Sequence, residues 1–386
     1  MIPLAVPDLS GNESRYLEEC VTSNFISSVG SFVGRFEEMV ANVSGSFRGV
    51  ATSSGTAGLH AALVAVGVER DDLVILPSLT FIASANAISY CGADPWLFDV
   101  ERTSWNLDPE QLARRLESDT EIRGGEVIHR PTGRRVAAIM PVYTLGLPAD
   151  MDRIVAIARE YNLPVVADSA AALGAVDNQR PVGALGADLT VFSFNGNKTL
   201  TCGGGGAVVG DDPAQMDLVK HLTTTARYGS GYDHDRVGFN YRLSNVHAAI
   251  GTAQLERIAD LVAAKQRIRR VYDEAFDDIS SLIAFPDYSP PSKIQQSSCW
   301  FSGVFVDRAD PERISSILAH LKNSGIESRP FWKPIHLQDP YKNAPKNSLT
   351  VCDDIWFRVV VLPCSVGLSK DDQEQVINAV LHAVSN

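Results

Sequence analysis

The sequence is poor in the features that mark several function classes. Its six cysteines, Cys20, Cys91, Cys202, Cys299, Cys352 and Cys364, form no CxxC pair, so a zinc knuckle or a dithiol redox motif has no support. Basic residues are outnumbered, 34 Lys plus Arg against 46 Asp plus Glu, for a net charge of -12. The basic footprint of a nucleic-acid binder is therefore missing. The densest basic stretch, from Arg123 through Arg130, Arg134 and Arg135, is punctuated by Gly124, Gly125, Pro131 and Gly133 and reads as a solvated loop or hairpin. No window approaches 18 uninterrupted apolar residues, so no transmembrane helix is expected. The opening MIPLAVPDLS has no basic segment before an apolar run, so no signal peptide is expected either. These absences point to a soluble cytoplasmic protein with free thiols, with no nucleic-acid or membrane partner.

What remains is an ordinary globular balance, 45% hydrophobic and 21% charged over 386 residues, enough for one large and one smaller domain. Short apolar runs alternate with helical patterns. Val74–Leu76, Pro95–Phe98, Arg135–Val142, Pro164–Ala167 and Leu189–Phe192 read as buried strands, and Ala83–Ile88 and Met151–Tyr161 as helices. This alternation predicts an α/β domain with a mostly parallel sheet. Leu243–Val271 reads as one long helix leaving that domain. Ser298–Val306 and Val359–Leu362 then read as strands, and Pro311–Asn323 and Lys370–Val384 as helices, of a smaller α+β unit. Pro286, Pro290 and Pro291 mark the loop between the two parts. In parallel sheets ligands gather at the carboxyl ends of strands, where Asp168 and Ser193 fall.

Four features carry chemistry. Lys198 stands in Ser193-Phe194-Asn195-Gly196-Asn197-Lys198-Thr199, just before the run Gly203–Gly206. Four glycines cost backbone entropy and suit a close approach to a ligand. A lysine crowded there would be desolvated towards the neutral amine that forms a Schiff base. A nucleotide P-loop is the rival reading, but Asn197 interrupts the Gly-Lys-Thr succession it needs. Thr52-Ser53-Ser54-Gly55-Thr56-Ala57-Gly58 opens an apolar helix and offers an anion site at its N-terminus. Phe81, past the strand ending at Leu76, could stack on a planar ring. Asp168 supplies a carboxylate. Taken singly, each has a plain structural reading: a surface lysine on a flexible loop, an ordinary helix cap, a core phenylalanine, a capping aspartate. Together they are what a phosphorylated pyridine aldehyde needs, namely a phosphate cradle, an aromatic face, a partner for the ring nitrogen and an amine for the aldehyde.

The chain resembles the sugar-nucleotide aminotransferases of the DegT/DnrJ/EryC1/StrS family, which have the pyridoxal-phosphate (PLP) fold type I. The resemblance covers nearly the whole chain. It rests on NFISSVG at 24–30, SSGTAGL at 53–59, PSLTFIASANAI at 77–88, the strand ending in Asp168, SFNGNK at 193–198, GFNYRLSN at 238–245 and Leu362-Pro363. It implies a large domain, 1–260, with a mostly parallel seven-stranded sheet, and a small α+β domain, 261–386, on which the N-terminal segment can pack. It implies that Lys198 bonds the cofactor and moves the proton, that Asp168 pairs with the pyridine nitrogen, and that Phe81 stacks on the ring. Gly55, Thr56, Ala57 and Ser193 would hold the phosphate. Asn240 would reach it from a second subunit, so a homodimer with shared active sites is implied. Phe25, Ser27, Tyr241 and His336 would line the substrate site, His336 having a structural reading beside that one. The implied reaction passes an amino group from L-glutamate to a nucleotide-linked keto sugar. Within the family the motifs look most like the branch aminating carbon 4 of UDP-linked 2-acetamido-2,6-dideoxy-4-keto sugars; carbon-3 and dTDP- or GDP-sugar branches stand as alternatives. One departure is Ala171, where the family usually carries Gln, His or Glu; it puts substrate orientation in doubt. A sugar dehydratase of the same fold would carry histidine in place of Lys198. A non-catalytic relative would not need the cofactor residues. An enzyme acting on amino acids would want a carboxylate-binding arginine, for which Arg329 or Arg358 could stand.

Overall fold

The computed structural model describes residues 1–277, 279, 281–284 and 295–385. Seven strands form its main layer: β1 (Arg48–Thr52), β2 (Leu73–Pro77), β3 (Asp94–Phe98), β4 (Arg134–Ile139), β5 (Val166–Asp168), β6 (Leu189–Ser193) and β7 (Gly206–Gly210). The order is β1-β7-β6-β5 on one side and β4-β2-β3 on the other. Parallel bridges Ile139↔Val165 and Val142↔Asp168 join the halves. Only β7 runs antiparallel to its neighbours. The expected mostly parallel seven-stranded sheet is therefore present. Its strands read as continuous apolar runs because helices cover both faces: Leu73, Val74, Ile75 and Leu76 are all fully buried, each contributing about 1.5–3 kcal/mol of transfer free energy.

The helices between strands begin where short polar side chains satisfy their first amides. Asp108, Asp212 and Asp310 each cap a helix whose first residue is proline, the arrangement proline's missing N–H favours. The basic stretch near 130 is a hairpin, Thr120–Arg123 against Glu126–His129, added to the edge of β4. A second, antiparallel sheet follows, in the order Leu282–Ala284, Ser302–Val306, Val359–Leu362, Arg329–Pro330. The N-terminus lies against it: Leu4 donates its N–H to Glu327 (3.0 Å), and Cys364 donates to the Leu4 carbonyl (2.8 Å). We propose the domain division at 260/261, inside the helix Ile258–Phe276 that carries the chain towards this second sheet.

Two expectations about elements change. Leu243–Val271 is two helices, Asn245–Leu255 and Ile258–Phe276. The break falls where side chains are recruited elsewhere. Glu256 accepts from Tyr16 Oη (2.5 Å), Asn12 Nδ2 (2.7 Å) and Arg35 Nη2 (2.6 Å), while Arg257 pairs with Asp8. The strand expected over Ser298–Val306 starts only at Ser302. Before it, the amides of Ser298 and Trp300 bond the carbonyls of Gly146 (3.1 Å) and Leu145 (3.2 Å), which pulls this segment out of the ladder. Pro286, Pro290 and Pro291 lie outside the described residues. Among the described residues no helix is long and apolar enough to cross a membrane, and all six cysteines are free thiols.

Candidate active site

A cavity of about 510 Å³ opens between the carboxyl ends of the main strands and the second sheet. Five of the predicted cofactor residues, Gly55, Thr56, Phe81, Asp168 and Ser193, line it together with Lys198.

Asp168 ends β5 and is buried. Its Oδ2 accepts from Ser84 Oγ (2.6 Å) and its Oδ1 from the Ala170 amide (3.1 Å). Burial pushes its carboxyl above the usual range, while the Ser84 and Ala170 bonds and nearby Lys198 oppose the rise. A cationic partner inside the cavity would favour the ionised form. Lys198 is half-buried, facing the cavity, on a turn closed by its own amide and the Asn195 carbonyl (3.0 Å). Desolvation lowers its ammonium from the ordinary 10.5 to about 7, with Asp168 pulling the other way. An amine near neutrality is a usable nucleophile at physiological pH.

Opposite the lysine, the helix Gly55–Ala65 points its N-terminus into the cavity. The amides of Gly55 and Thr56 precede any intrahelical acceptor and suit an anion. Ala57 does not belong to this cradle: it is buried, it is absent from the cavity lining, and its amide is taken by the Ser54 cap (3.0 Å). The glycines are required by contact. A Cβ on Gly55 would stand 2.7 Å from Ser193 Cβ, and one on Gly206 would stand 2.6 Å from the Ser54–Gly55 backbone. Gly203 adopts φ +78°. Phe81 is 55% exposed at the mouth, beside Trp332 (ring centroids 6.1 Å apart), so its ring can stack on a bound molecule without first leaving a core.

The remaining predicted residues lie outside this chain's own cavity. Asn240 is exposed, with its backbone bridging to Thr224. Tyr241 accepts the Ser53 amide on its carbonyl (2.7 Å), and its hydroxyl bonds His60 Nδ1 (3.1 Å). Phe25 and Ser27 offer their carbonyls to the side chain and amide of Asn245 (2.7 and 2.6 Å). His336 is buried, with Nδ1 on Ser78 Oγ (2.7 Å) and Nε2 on Asp353 Oδ1 (2.8 Å). Both ring nitrogens are thus engaged, and the structural reading fits this placement. Ala171 does line the cavity, and its carbonyl accepts from Ser298 Oγ (2.6 Å).

Sequence reasoning passed over Ser84, Trp300, Trp332 and Tyr143. Ser84 sits three residues after Phe81 on the helix Ile82–Tyr90, and that spacing could have flagged it. Trp300 and Trp332 come from the second sheet's side, with no local signal. Arg329 lines the cavity and pairs with Glu327 (2.8 Å), whereas Arg358 is outside it, paired with Asp354 (2.9 Å).

A nucleophilic amine and a buried carboxylate facing the same space, with a free helix N-terminus and an exposed aromatic ring at its edge, fit a phosphorylated pyridine aldehyde in orientation as well as composition. That is the chemistry of a PLP transaminase. The chain belongs to the DegT/DnrJ/EryC1/StrS aminotransferase family, whose model matches residues 7–381. It is 36% identical over 388 residues to a GDP-perosamine synthase of Caulobacter vibrioides, covering 98% of this chain and 97% of that one. It is 35% identical to a GDP-perosamine synthase of Escherichia coli O157:H7, covering 97% and 96%. Among solved structures, a DegT DnrJ EryC1 StrS aminotransferase from Brucella abortus superposes with TM-score 0.85 at 28% identity, over 96% of this chain and 95% of that one. The aminotransferase TlmJ from Streptoalloteichus hindustanus gives 0.88 at 27%, over 100% and 99%. The protein is therefore a PLP-dependent sugar aminotransferase. The expectation of a UDP-sugar branch is corrected: these two curated relatives carry names with a GDP-linked sugar.

Proposed function

We propose that the protein transfers an amino group from L-glutamate to carbon 4 of a GDP-linked 4-keto-6-deoxy sugar, and that Lys198 is the residue that bonds the cofactor and moves the proton. The observation that carries the Lys198 role is its amine, held near neutrality inside the cavity that Asp168 also lines. The names of the two curated relatives support the nucleotide.

PLP, when bound, supplies an aldehyde carbon and an electron-withdrawing ring. The chain's own residues do the rest. Gly55 and Thr56 amides, with Ser193, hold the phosphate at the positive end of their helix. Asp168, oriented by Ser84, holds a proton on the ring nitrogen by its charge. Phe81 covers the ring face. Lys198, once free, takes a proton from the donor's reacting carbon and returns one to the cofactor carbon, then does the reverse when the keto sugar enters. Trp300 and Phe331 wall off water. The protein works as a homodimer, with Asn240, Phe25, Ser27 and Tyr241 of a second copy completing the site. Their placement outside this chain's own cavity supports that arrangement.

The test is a panel of GDP-, UDP- and dTDP-linked 4-keto-6-deoxy sugars offered with glutamate, with products resolved by mass spectrometry and NMR. The reading expects amination at carbon 4 of the GDP sugar with the highest kcat/KM. Preference for a UDP or dTDP sugar would overturn the nucleotide, and amination at carbon 3 would overturn the position.

A further inference from the structure

Lys198 must exist in two conditions during turnover. When a donor's nitrogen takes over the bond to the cofactor carbon, Lys198 leaves as an amine, carrying the two protons the donor nitrogen gives up. The structure shows Lys198 in that free condition, and the amine does not point at random. Its Nζ lies 3.3 Å from the centroid of the Trp300 ring. Among the described residues no hydrogen bond or salt bridge holds it.

Trp300 itself is fixed at three points. Its amide donates to the Leu145 carbonyl (3.2 Å), its carbonyl accepts from Lys265 Nζ (3.0 Å), and its Nε1–H donates to the Asn197 carbonyl (2.6 Å). Lys265 is a buried lysine whose other bonds also go to this wall, at the Cys364 carbonyl (2.6 Å). Leu145 and Cys299, the residues that set the indole's position, both adopt left-handed φ (58° and 51°), a region non-glycine residues rarely occupy without a reason. Phe301 stacks against the ring (4.2 Å). The indole thus reaches from the second sheet to the residue before Lys198 and presents its face to the amine. Aromatic faces attract ammonium groups most strongly when water is excluded, and Trp300 is only 4% exposed.

We propose that Trp300 is a positioning residue whose ring face is the docking place of the free Lys198 amine between its two bonded conditions. This holds the proton carrier within reach of the cofactor carbon while the donor or keto sugar occupies its place. The proposal rests on Lys198 being the cofactor lysine. The titratable and charged groups facing the amine are Asp168 from β5, Tyr143 from the loop after β4 and Arg329 from the second sheet; none of them replaces the ring.

The experiment compares Trp300→Phe, which keeps a ring face and loses the indole N–H, with Trp300→Met, which keeps bulk and loses the face. Steady-state kcat and KM are measured on the loaded enzyme. The pH dependence of PLP capture is measured on the full chain stripped of cofactor. Expected for Phe is a kcat within about threefold of wild type and an unchanged capture midpoint. Expected for Met is a kcat lower by roughly tenfold with KM unchanged, and a capture midpoint lower by roughly half a pH unit, because the face no longer favours the ammonium. A folded Met variant with wild-type kcat and midpoint overturns the proposal. Should Met unfold the wall, Phe decides: loss of tenfold or more there would mean that the bond to Asn197, and not the face, carries the effect. Lys198→Ala separates the two levels. If it captures PLP like wild type, the reading of Lys198 fails. If it is blind to PLP while Trp300→Met matches wild type, only the docking proposal fails.

Discussion

On one wall of the cavity, Gly55, Asp168 and Ser193 stand at or just past the ends of β1, β5 and β6. On the other, Trp300, Phe331 and Trp332 come from segments 100 or more residues later in the chain, off the ladder of a different sheet. The first wall is made by local geometry: a strand ends, a turn exposes one side chain, and a helix begins. The second exists only after the two parts have packed. The difference suggests a division of labour. The first wall carries bonds and charges whose loss is catastrophic, and the second carries placement whose loss is graded.

Variants can break or sharpen that contrast, beginning with the largest effect. Lys198→Ala should lower turnover by on the order of 10⁴-fold or more while circular dichroism and thermal midpoint stay near wild type. Measurable steady-state transamination by the folded variant would contradict the assignment. Asp168→Asn should cost about 10²- to 10³-fold in kcat, because a neutral amide cannot hold a proton on the ring nitrogen. A Asn variant that keeps wild-type kcat would remove Asp168 from the mechanism.

Ser84→Ala should cost on the order of tenfold, since a buried carboxylate oxygen loses its donor. It should also weaken PLP binding, with Ser84→Thr restoring both. If Thr restores nothing, the defect is packing and not the bond to Asp168.

The smallest predicted effect is on stability and has a definite sign. Folding lowers the Lys198 amine from 10.5 to about 7, so between those values the unfolded chain binds the extra proton. The cofactor-free protein therefore gains stability as pH rises through that window, and is penalised in full below it. Lys198→Met should raise its thermal midpoint by a few degrees at or below pH 7, with the gain fading by about pH 10. A gain that does not change with pH would mean the amine is not desolvated. His336→Leu should do the opposite of a catalytic lesion: a lower thermal midpoint, from two buried partners left unpaired, with kcat little changed in the molecules that fold.

The same contrast explains what the sequence made legible. Period and composition located β2, β3 and the helix Met151–Glu160 almost to the residue, because each is a buried run bounded by turn residues. Lys198, Asp168 and Phe81 were readable because each follows a strand within a short motif. The split at Glu256–Arg257 was not readable: helical periodicity continues through it, and only the partners Asp8, Tyr16 and Arg35, more than 200 residues earlier, explain the break. Ala57 was grouped with its neighbours although the Ser54 cap already claims its amide. Trp300 sits in what read as the start of a strand, and nothing local says that its indole crosses to Asn197. The nucleotide was misjudged for another reason: motifs shared across the family report on the cofactor, and the groups that choose a nucleotide lie elsewhere.

The most direct test of the central claim is chemical. The loaded enzyme is reduced with borohydride, digested, and the modified peptide identified by mass spectrometry. The account predicts one pyridoxyl-phosphate adduct, on Lys198 within Ser193–Lys198, and none after prior incubation with excess L-glutamate, which leaves the cofactor in its amine form. An adduct on another lysine, such as Lys220 or Lys265, or no adduct from an enzyme shown to hold PLP, would contradict it.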